Sequence, residues 1–437
     1  MSIKVNEKII DNKIKHIFLF ITSIILFWGY IYRFKIIGFP FSTSQILAIL
    51  GSAFLFVKIF LKKKIVIDSD LFVFFISFII PFLVISITSL INSEADFSIM
   101  KHFLGIPWNL LAFYSFKSYR NKTNQNLSFN DVALLFIITG LIQCFISLAG
   151  FLIPDIGRFL INTQVWESEA EKIRAGNFIL NRRLIGLGAK YFGGGIIYSI
   201  DLVLITHLML DKENSKEKYY KYLPLFYMIV FCCGMMMART TLVGLFFSSL
   251  YFIKSSIKTI LRILKNIVPS VLFLFIVFSI LFFNYGNRIQ KIINFGFEIF
   301  INLSEGRGLN TSSSDGTIKM YKFPGEYDYK TWLIGDALFF DKTGHYYRRT
   351  DVGYCRAIFY FGLLGFFVVW ITQGLMAFIV AKRIESKNRF FFIIMCLMFA
   401  AFNLKGWAVL HLYLIPFYFI DKPNLLRNSN EGSYNYA

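Results

Sequence analysis

The sequence predicts an all-α, polytopic integral membrane protein with about 12 transmembrane helices and two long polar loops. Charged residues make up only 16% of the 437-residue chain, whereas soluble domains carry about 25%. The apolar residues form blocks of about 18 to 25, the helix length that crosses roughly 30 Å of hydrocarbon. A β-barrel is disfavoured, because barrels alternate apolar and polar residues over short segments. Residues 1–437 are therefore predicted to form a single polytopic membrane domain.

The apolar blocks define the predicted spans in chain order. The first six lie at about 17–32, 44–61, 71–91, 99–116, 132–153 and 191–210. The run 223–253 is too long for one ordinary span, so we expect two short helices that meet near Arg239. The remaining spans are predicted at about 267–285, 353–381 and, with a break at 403–406, twice within 390–420. The N-terminal segment lacks a signal-peptide cleavage pattern, so the first block is expected to stay as a span.

The basic residues between the blocks predict the orientation. With both termini in the cytoplasm, that side receives five basic clusters, at 62–64, 117–122, 212–221, 254–265 and 382–389. Cytoplasmic loops are enriched in Lys and Arg, and the opposite short links carry only Arg33, Lys35 and Lys405. This orientation places the long loops, residues 154–188 and 287–352, on the outer face. It also explains most of the net charge of +20 without a nucleic-acid partner.

Arginine residues near the sixth and seventh spans are candidate anion-binding groups. Arg182 and Arg183 end the first loop, and a guanidinium binds phosphate through two parallel hydrogen bonds. Anchoring of a helix end at the interface is the alternative for each. Arg239 interrupts an apolar run that contains no acid. A charge at membrane depth is costly, so Arg239 is expected either to mark a functional or paired site or to extend its guanidinium to the membrane surface. The glycines at 193–195 lack the context of a phosphate loop and are expected to allow close helix packing.

The second loop ends with groups suited to acid–base chemistry and anion binding, namely His345, Arg348, Arg349 and Asp351. Asp351 lies at the start of the tenth span, where a carboxylate could act as general base on a hydroxyl. It could also cap the helix N-terminus. His345 is a second candidate base or else a solvated loop residue. The five cysteines and the other histidines show no metal-ligand spacing, so no metal site is predicted.

This layout resembles that of bacterial O-antigen polymerases, the Wzy-type polymerases of oligosaccharide repeat units, which are related to O-antigen ligases. The resemblance rests on the number of spans, the two long outer loops, the arginines that end the first loop and Arg239. It also rests on Asp351-Val352, followed after nine residues by Gly362-Leu363-Leu364-Gly365. The related ligases have His at the position of Asp351, which disfavours a ligase.

The resemblance implies a GT-C-like fold in the bacterial inner membrane, with both long loops periplasmic, and an inverting, metal-independent glycosyl transfer. Undecaprenyl-pyrophosphate-linked glycans would be donor and acceptor, and O-antigen or a related surface polysaccharide the product. Arg183 and Arg239 would bind pyrophosphate and Asp351 would be the base. Arg182, Arg348 and Arg349 would be further anion-binding residues. No cofactor is implied. The implied partners are membrane lipid, a Wzz-type chain-length regulator and a Wzx-type flippase.

Two other functions remain open at this point. One is an O-antigen ligase or another lipid-linked glycosyltransferase, against which the aspartate at position 351 counts. The other is a repeat-unit flippase or transporter. Transporters place their sites near the bilayer midplane and are often built from matching halves. The sequence shows no internal repeat and has few charges within the spans, which favours the polymerase.

Overall fold

The computed structural model describes residues 2–62, 69–93, 96–123, 125–166, 172–173, 183–211, 216–253, 255–326 and 328–421. Across this part of the chain the regular structure is helical, with two isolated antiparallel bridges and no strand. Seven of the described helices are long and apolar enough to cross a membrane. They are Thr43–Leu61, Asp70–Asn92, Phe129–Leu152, Tyr191–Leu210, Tyr220–Met237, Ile257–Val277 and Gly353–Arg383. This architecture is that of a polytopic helical membrane protein.

The described α-helices are numbered here in chain order. They are α1 (Ser2–Tyr32), α2 (Thr43–Lys62), α3 (Ser69–Asn92), α4 (Met100–Lys122), α5 (Phe129–Leu152), α6 (Pro154–Asn162), α7 (Tyr191–Leu210), α8 (Leu223–Met237), α9 (Thr241–Ile253), α10 (Ile257–Gly296), α11 (Glu298–Ser304), α12 (Ser312–Met320), α13 (Tyr329–Leu333), α14 (Gly353–Arg383), α15 (Arg389–Asn403) and α16 (His411–Tyr418).

Several helix boundaries agree with the sequence prediction. Helix α7 has the predicted bounds, and the run 223–253 divides into α8 and α9 on either side of Arg239. The predicted end of the ninth span, at Tyr285, coincides with a bend in α10. The helix continues beyond this bend to Gly296, so the first residues of the predicted second loop are helical. The rest of that loop carries the short helices α11, α12 and α13.

Helix α7 is the central helix of the bundle and packs against α5, α8, α9 and α15. Its side chains are buried along almost the whole helix, which is typical of a helix that is apolar on every side. Two glycines allow the close approach of α8. A Cβ on Gly194 would lie 2.1 Å from the sulfur of Met237, and one on Gly195 would lie 2.9 Å from the Cβ of Ala238. The packing role predicted for this glycine run is confirmed at these two positions.

The two ends of the bundle differ in the pairing of their charges. At the end where α3 begins and α14 ends, Asp70 pairs with Arg383 at 2.6 Å. At the same end, Lys117 pairs with Asp421 at 2.6 Å. At the other end, where α7 and α14 begin, cations outnumber acids around a cavity. That end carries the residues that could perform chemistry.

Candidate anion-binding site

A cavity of about 350 Å³ lies where the first turns of α7 and α14 meet the link between α15 and α16. We name it the cationic cavity. Its charged lining residues are Lys190, Asp351, Arg356 and Lys405. The other lining residues are mostly rings: His102, Tyr191, Phe192, Tyr346 and Trp407, with Gly193 and Gly406. Three cations facing one carboxylate produce a positive local field that attracts an anionic ligand.

Arg183 and Arg239 lie next to this cavity and next to each other. The guanidinium carbon of Arg183 is 4.2 Å from the centre of the Phe295 ring, and that of Arg239 is 4.7 Å from it. A backbone contact accounts for the arrangement. The amide of Leu184 donates a hydrogen bond of 3.2 Å to the carbonyl of Met236, so the chain after Arg183 runs along the end of α8. Arg239 follows in the turn between α8 and α9.

Arg239 is held by an acid that is distant in the sequence. Its Nη2 lies 2.5 Å from Glu298 Oε2, at the start of α11, and its side chain is only 6% exposed. Within the described part of the chain, Nε and Nη1 of Arg239 are buried and have no hydrogen-bond partner. Burial lowers the pKa of Arg239, and the carboxylate of Glu298 opposes that shift. The guanidinium therefore keeps two donors for a ligand.

Lys405 links the arginine pair to the cationic cavity. Burial and the positive charges of Arg183 and Arg239 together lower the pKa of Lys405 to about 8, although Asp351 opposes them. Burial, together with the charge of Arg239, lowers the pKa of Arg183 to about 10, although Tyr191 opposes that shift. These cations therefore repel one another across short distances, and a bound anion would relieve that repulsion.

Arg356 forms the opposite wall of the cavity. Its guanidinium carbon lies 3.8 Å from the ring centres of both Phe339 and Tyr346, and its side chain is only 7% exposed. Nη1 lies 3.5 Å from Asp351 Oδ1. Sequence reasoning did not single out Arg356, which lies in an apolar run. That position was itself a signal, because an arginine inside an apolar helix is costly unless it serves a site.

Asp351 is half-exposed at the edge of the cavity, with its carboxylate directed toward Arg356. The alternative role of Asp351, capping of the following helix, is contradicted. Val352 occupies the N-cap position of α14, and no side chain caps that end. The carboxylate is therefore placed beside the cations of the cavity, where a substrate hydroxyl could reach it.

A break in α14 brings the second loop to this wall. Gly362 has φ 64° and ψ −175°, which interrupts the helix. The amide of Asp336 donates to the carbonyl of Phe359 at 2.6 Å, and that of Ala337 donates to Tyr360 at 3.2 Å. A Cβ on Gly362 would lie 2.2 Å from the carbonyl carbon of Leu333, so only glycine fits this crossing. Gly362 thus allows the loop that continues to Phe339 to pack directly against α14.

Asp96, in the link between α3 and α4, clamps the same loop. Its Oδ2 accepts hydrogen bonds from the backbone amides of Phe339 at 2.6 Å and Phe340 at 3.0 Å. Burial acts to raise the pKa of Asp96, but hydrogen bonds from Ser98 and from these two amides outweigh burial and lower it. The aspartate therefore fixes one of the rings that hold Arg356. Sequence reasoning missed this role, because a short acidic link gives no sign of a distant partner.

The other predicted site residues do not line the cationic cavity. His345 is exposed, in a turn closed by its backbone amide donating to Asp341 Oδ1 at 2.9 Å. Arg349 is exposed, with its Nε 4.0 Å from Asp341 Oδ2. Arg348 lies over the ring of Tyr347 at 5.3 Å. Arg182 lies outside the described residues. The structure thus brings together Arg183, Arg239 and Asp351.

No group of three or more His, Cys, Asp or Glu is arranged to hold a metal ion in the described part of the chain. Comparisons of the chain with protein-family models, curated proteins and solved structures find no match. The function must therefore be inferred from the chemistry of the site itself.

Proposed function

We propose that this chain is a membrane-embedded glycosyltransferase that polymerises oligosaccharide repeat units carried on undecaprenyl pyrophosphate. The observation that carries the proposal is the cluster of Arg183, Arg239 and Lys405 beside the carboxylate of Asp351. A pyrophosphate leaving group needs concentrated positive charge, and an attacking hydroxyl needs a base. The cluster offers both at one end of the helical bundle.

In the proposed reaction, a hydroxyl of the acceptor sugar attacks the anomeric carbon of the donor sugar. The new carbon–oxygen bond forms as the bond between the anomeric carbon and the phosphate oxygen breaks, and the configuration inverts. Undecaprenyl pyrophosphate departs with the electron pair, and Asp351 takes the hydroxyl proton. Arg183, Arg239 and Lys405 would stabilise the charge that develops on the pyrophosphate.

The proposal includes an orientation. The chain would cross the bacterial inner membrane about 12 times, with both termini cytoplasmic and the cationic cavity open to the periplasm. The support is the distribution of basic residues, since cytoplasmic loops are enriched in Lys and Arg. A carrier of lipid-linked sugars would instead need a passage through the bundle near the midplane.

The test is deletion of the gene in its own strain, followed by complementation and analysis of the surface glycan on a gel. We expect wild type to restore a ladder, and Asp351→Asn and Arg239→Gln to leave single repeat units at normal protein level. The matched controls are Asp315→Asn and Arg307→Gln, because both residues are in the second loop, are exposed and do not line the cavity. Both controls should restore the ladder.

Other outcomes would contradict the polymerase. Lipid-linked polymer that accumulates without transfer to the lipid core would identify a ligase. Unpolymerised units that accumulate on the cytoplasmic face would identify a flippase. A full ladder in the strain that lacks the gene would exclude any essential role in polymerisation.

A further inference from the structure

A second, larger cavity adjoins the cationic cavity. It has a volume of about 900 Å³ and lies between the end of α1 and the first turns of α2, α4 and α7. Its polar lining includes Arg33, Gln45, Lys101, Asn109 and Lys190, and it contains no Asp or Glu. We name it the Arg33 cavity. It is positively charged on the same side of the bundle as the proposed catalytic site.

Arg33 is partly buried at this cavity, and no carboxylate lines the cavity. Its Nη2 donates to Asn109 Oδ1 at 3.1 Å. Nε of Arg33 and Nδ2 of Asn109 are both buried, and neither has a hydrogen-bond partner in the described part of the chain. Arg33 has φ 48°, an uncommon conformation for a residue other than glycine. A guanidinium with a buried, unpaired Nε is costly unless an anion or another ligand pairs with it.

The mouth of the Arg33 cavity is apolar. Leu104 and Trp108 line it and are 45% and 40% exposed on the outside of the bundle. In a membrane protein such side chains contact acyl or isoprenyl chains rather than water. A ligand that enters there would keep a hydrocarbon chain at the mouth and place its polar headgroup against Arg33. The cavity therefore fits an amphiphile better than a free anion.

The two cavities meet at Lys190 and Gly193, which line both of them. The ammonium of Lys190 lies 3.8 Å from the centre of the Trp166 ring. A Cβ on Gly193 would meet no atom within 4 Å, in contrast to Gly194 next to it. Gly193 thus leaves an opening at the junction, and a larger side chain there would narrow it without a packing clash.

We propose that the Arg33 cavity is a second binding site, separate from the cationic cavity, for the phosphate headgroup of a long-chain lipid. Arg33 Nε and Asn109 Nδ2 donate to the phosphate oxygens, and Lys101 and Lys190 add positive charge. Only the further statement, that this lipid carries the acceptor glycan, rests on the proposed function. The binding site itself does not depend on which reaction the protein performs.

The test uses full-length protein in detergent and native mass spectrometry with undecaprenyl phosphate as the probe. We expect two bound lipids in wild type and one in Arg33→Gln or in Arg239→Gln, with affinity for the lost site reduced about tenfold or more. Undecaprenol, which lacks the phosphate, should bind at neither site. Inorganic phosphate should fail to displace the lipid at equal concentration.

A second variant guards against loss of folding in Arg33→Gln. Asn109→Asp has nearly the same shape and supplies a carboxylate to Arg33, so we expect a higher melting temperature together with loss of the second lipid. Retention of two lipids by Arg33→Gln or Asn109→Asp would overturn the proposal. So would equal binding of undecaprenol, or displacement by inorganic phosphate. Because the measurement counts bound lipid, it stays informative if the protein proves not to polymerise glycans.

Discussion

Arg183 and Arg239 both stack on the ring of Phe295. Arg183 precedes α7, and Arg239 lies between α8 and α9. Two like charges held against one ring repel each other unless a third group compensates. Glu298 pairs with Arg239 and supplies part of that compensation. The arrangement therefore keeps two guanidinium groups at one ring, and a diphosphate has several anionic oxygens that such groups can bind.

Arg239→Gln should lower the rate of glycan transfer by about 10² to 10³-fold, the usual cost of one donor that stabilises charge in a transition state. Arg239→Lys should retain part of the rate, because it keeps the positive charge. It should not retain the full rate, because lysine cannot donate two parallel hydrogen bonds. Transfer in membranes from a lipid-linked donor is the measurement. The proposed role would be wrong if Arg239→Gln matched the Arg307→Gln control.

Lys405 should make stability depend on alkaline pH. Its pKa of about 8 in the folded protein lies below the ordinary value of 10.5, so the unfolded chain binds the proton more tightly. The charged ammonium lowers the free energy of unfolding by its full amount below pH 8. This destabilisation is relieved as the pH rises from about 8 to 10.5. Melting temperature should rise over that window in wild type.

Lys405→Met should remove that rise and raise the melting temperature at pH 7. Pyrophosphate should raise the melting temperature of wild type at pH 7, because the anion pairs with the charged ammonium, and should have a smaller effect on the variant. The control is Lys322→Met, an exposed lysine in the second loop. Equal curves for wild type and Lys405→Met would contradict the burial of this charge.

Asp96→Asn should loosen the loop that holds Arg356. The change leaves at least one backbone amide without its acceptor, at a cost of about 1 to 3 kcal/mol. Because the folded pKa of Asp96 lies below 3.8, its stabilising effect is present above the ordinary pKa and lost as pH falls through the folded value. The melting temperature of wild type should fall as the pH drops through and below the ordinary pKa of 3.8, and that of Asp96→Asn should fall less.

Gly362→Ala should destabilise the protein by about 1 to 3 kcal/mol or more, because the variant combines a strained φ with a clash against Leu333. The same substitution at Gly374 is the matched control. Gly374 is in the same helix, and a Cβ there would meet no atom within 4 Å. Gly374→Ala should be neutral or stabilising by up to about 1 kcal/mol. Similar melting temperatures for the two variants would show that the crossing tolerates a side chain.

Hydropathy alone predicted most helices, because a chain in lipid must satisfy its backbone hydrogen bonds within each span. It also predicted the division at Arg239, since a charge at that depth interrupts an apolar run. The partners of the site residues were not predictable in this way. Glu298 meets Arg239, and Phe339 meets Arg356, only because loops return to the bundle along paths set by tertiary contacts. The spacing of residues in the sequence does not predict those paths.

The burial of α7 has a consequence for its placement in the membrane. Its window has a mean hydropathy of 1.6, against 2.7 for Asp70–Asn92, and 89% of that window is covered by other parts of the chain. A segment with Asp201 at its middle and no lipid-facing side gains little by partitioning alone into the bilayer. Stable placement of α7 in the membrane therefore depends on its packing against α8 and α9, which follow it in the chain.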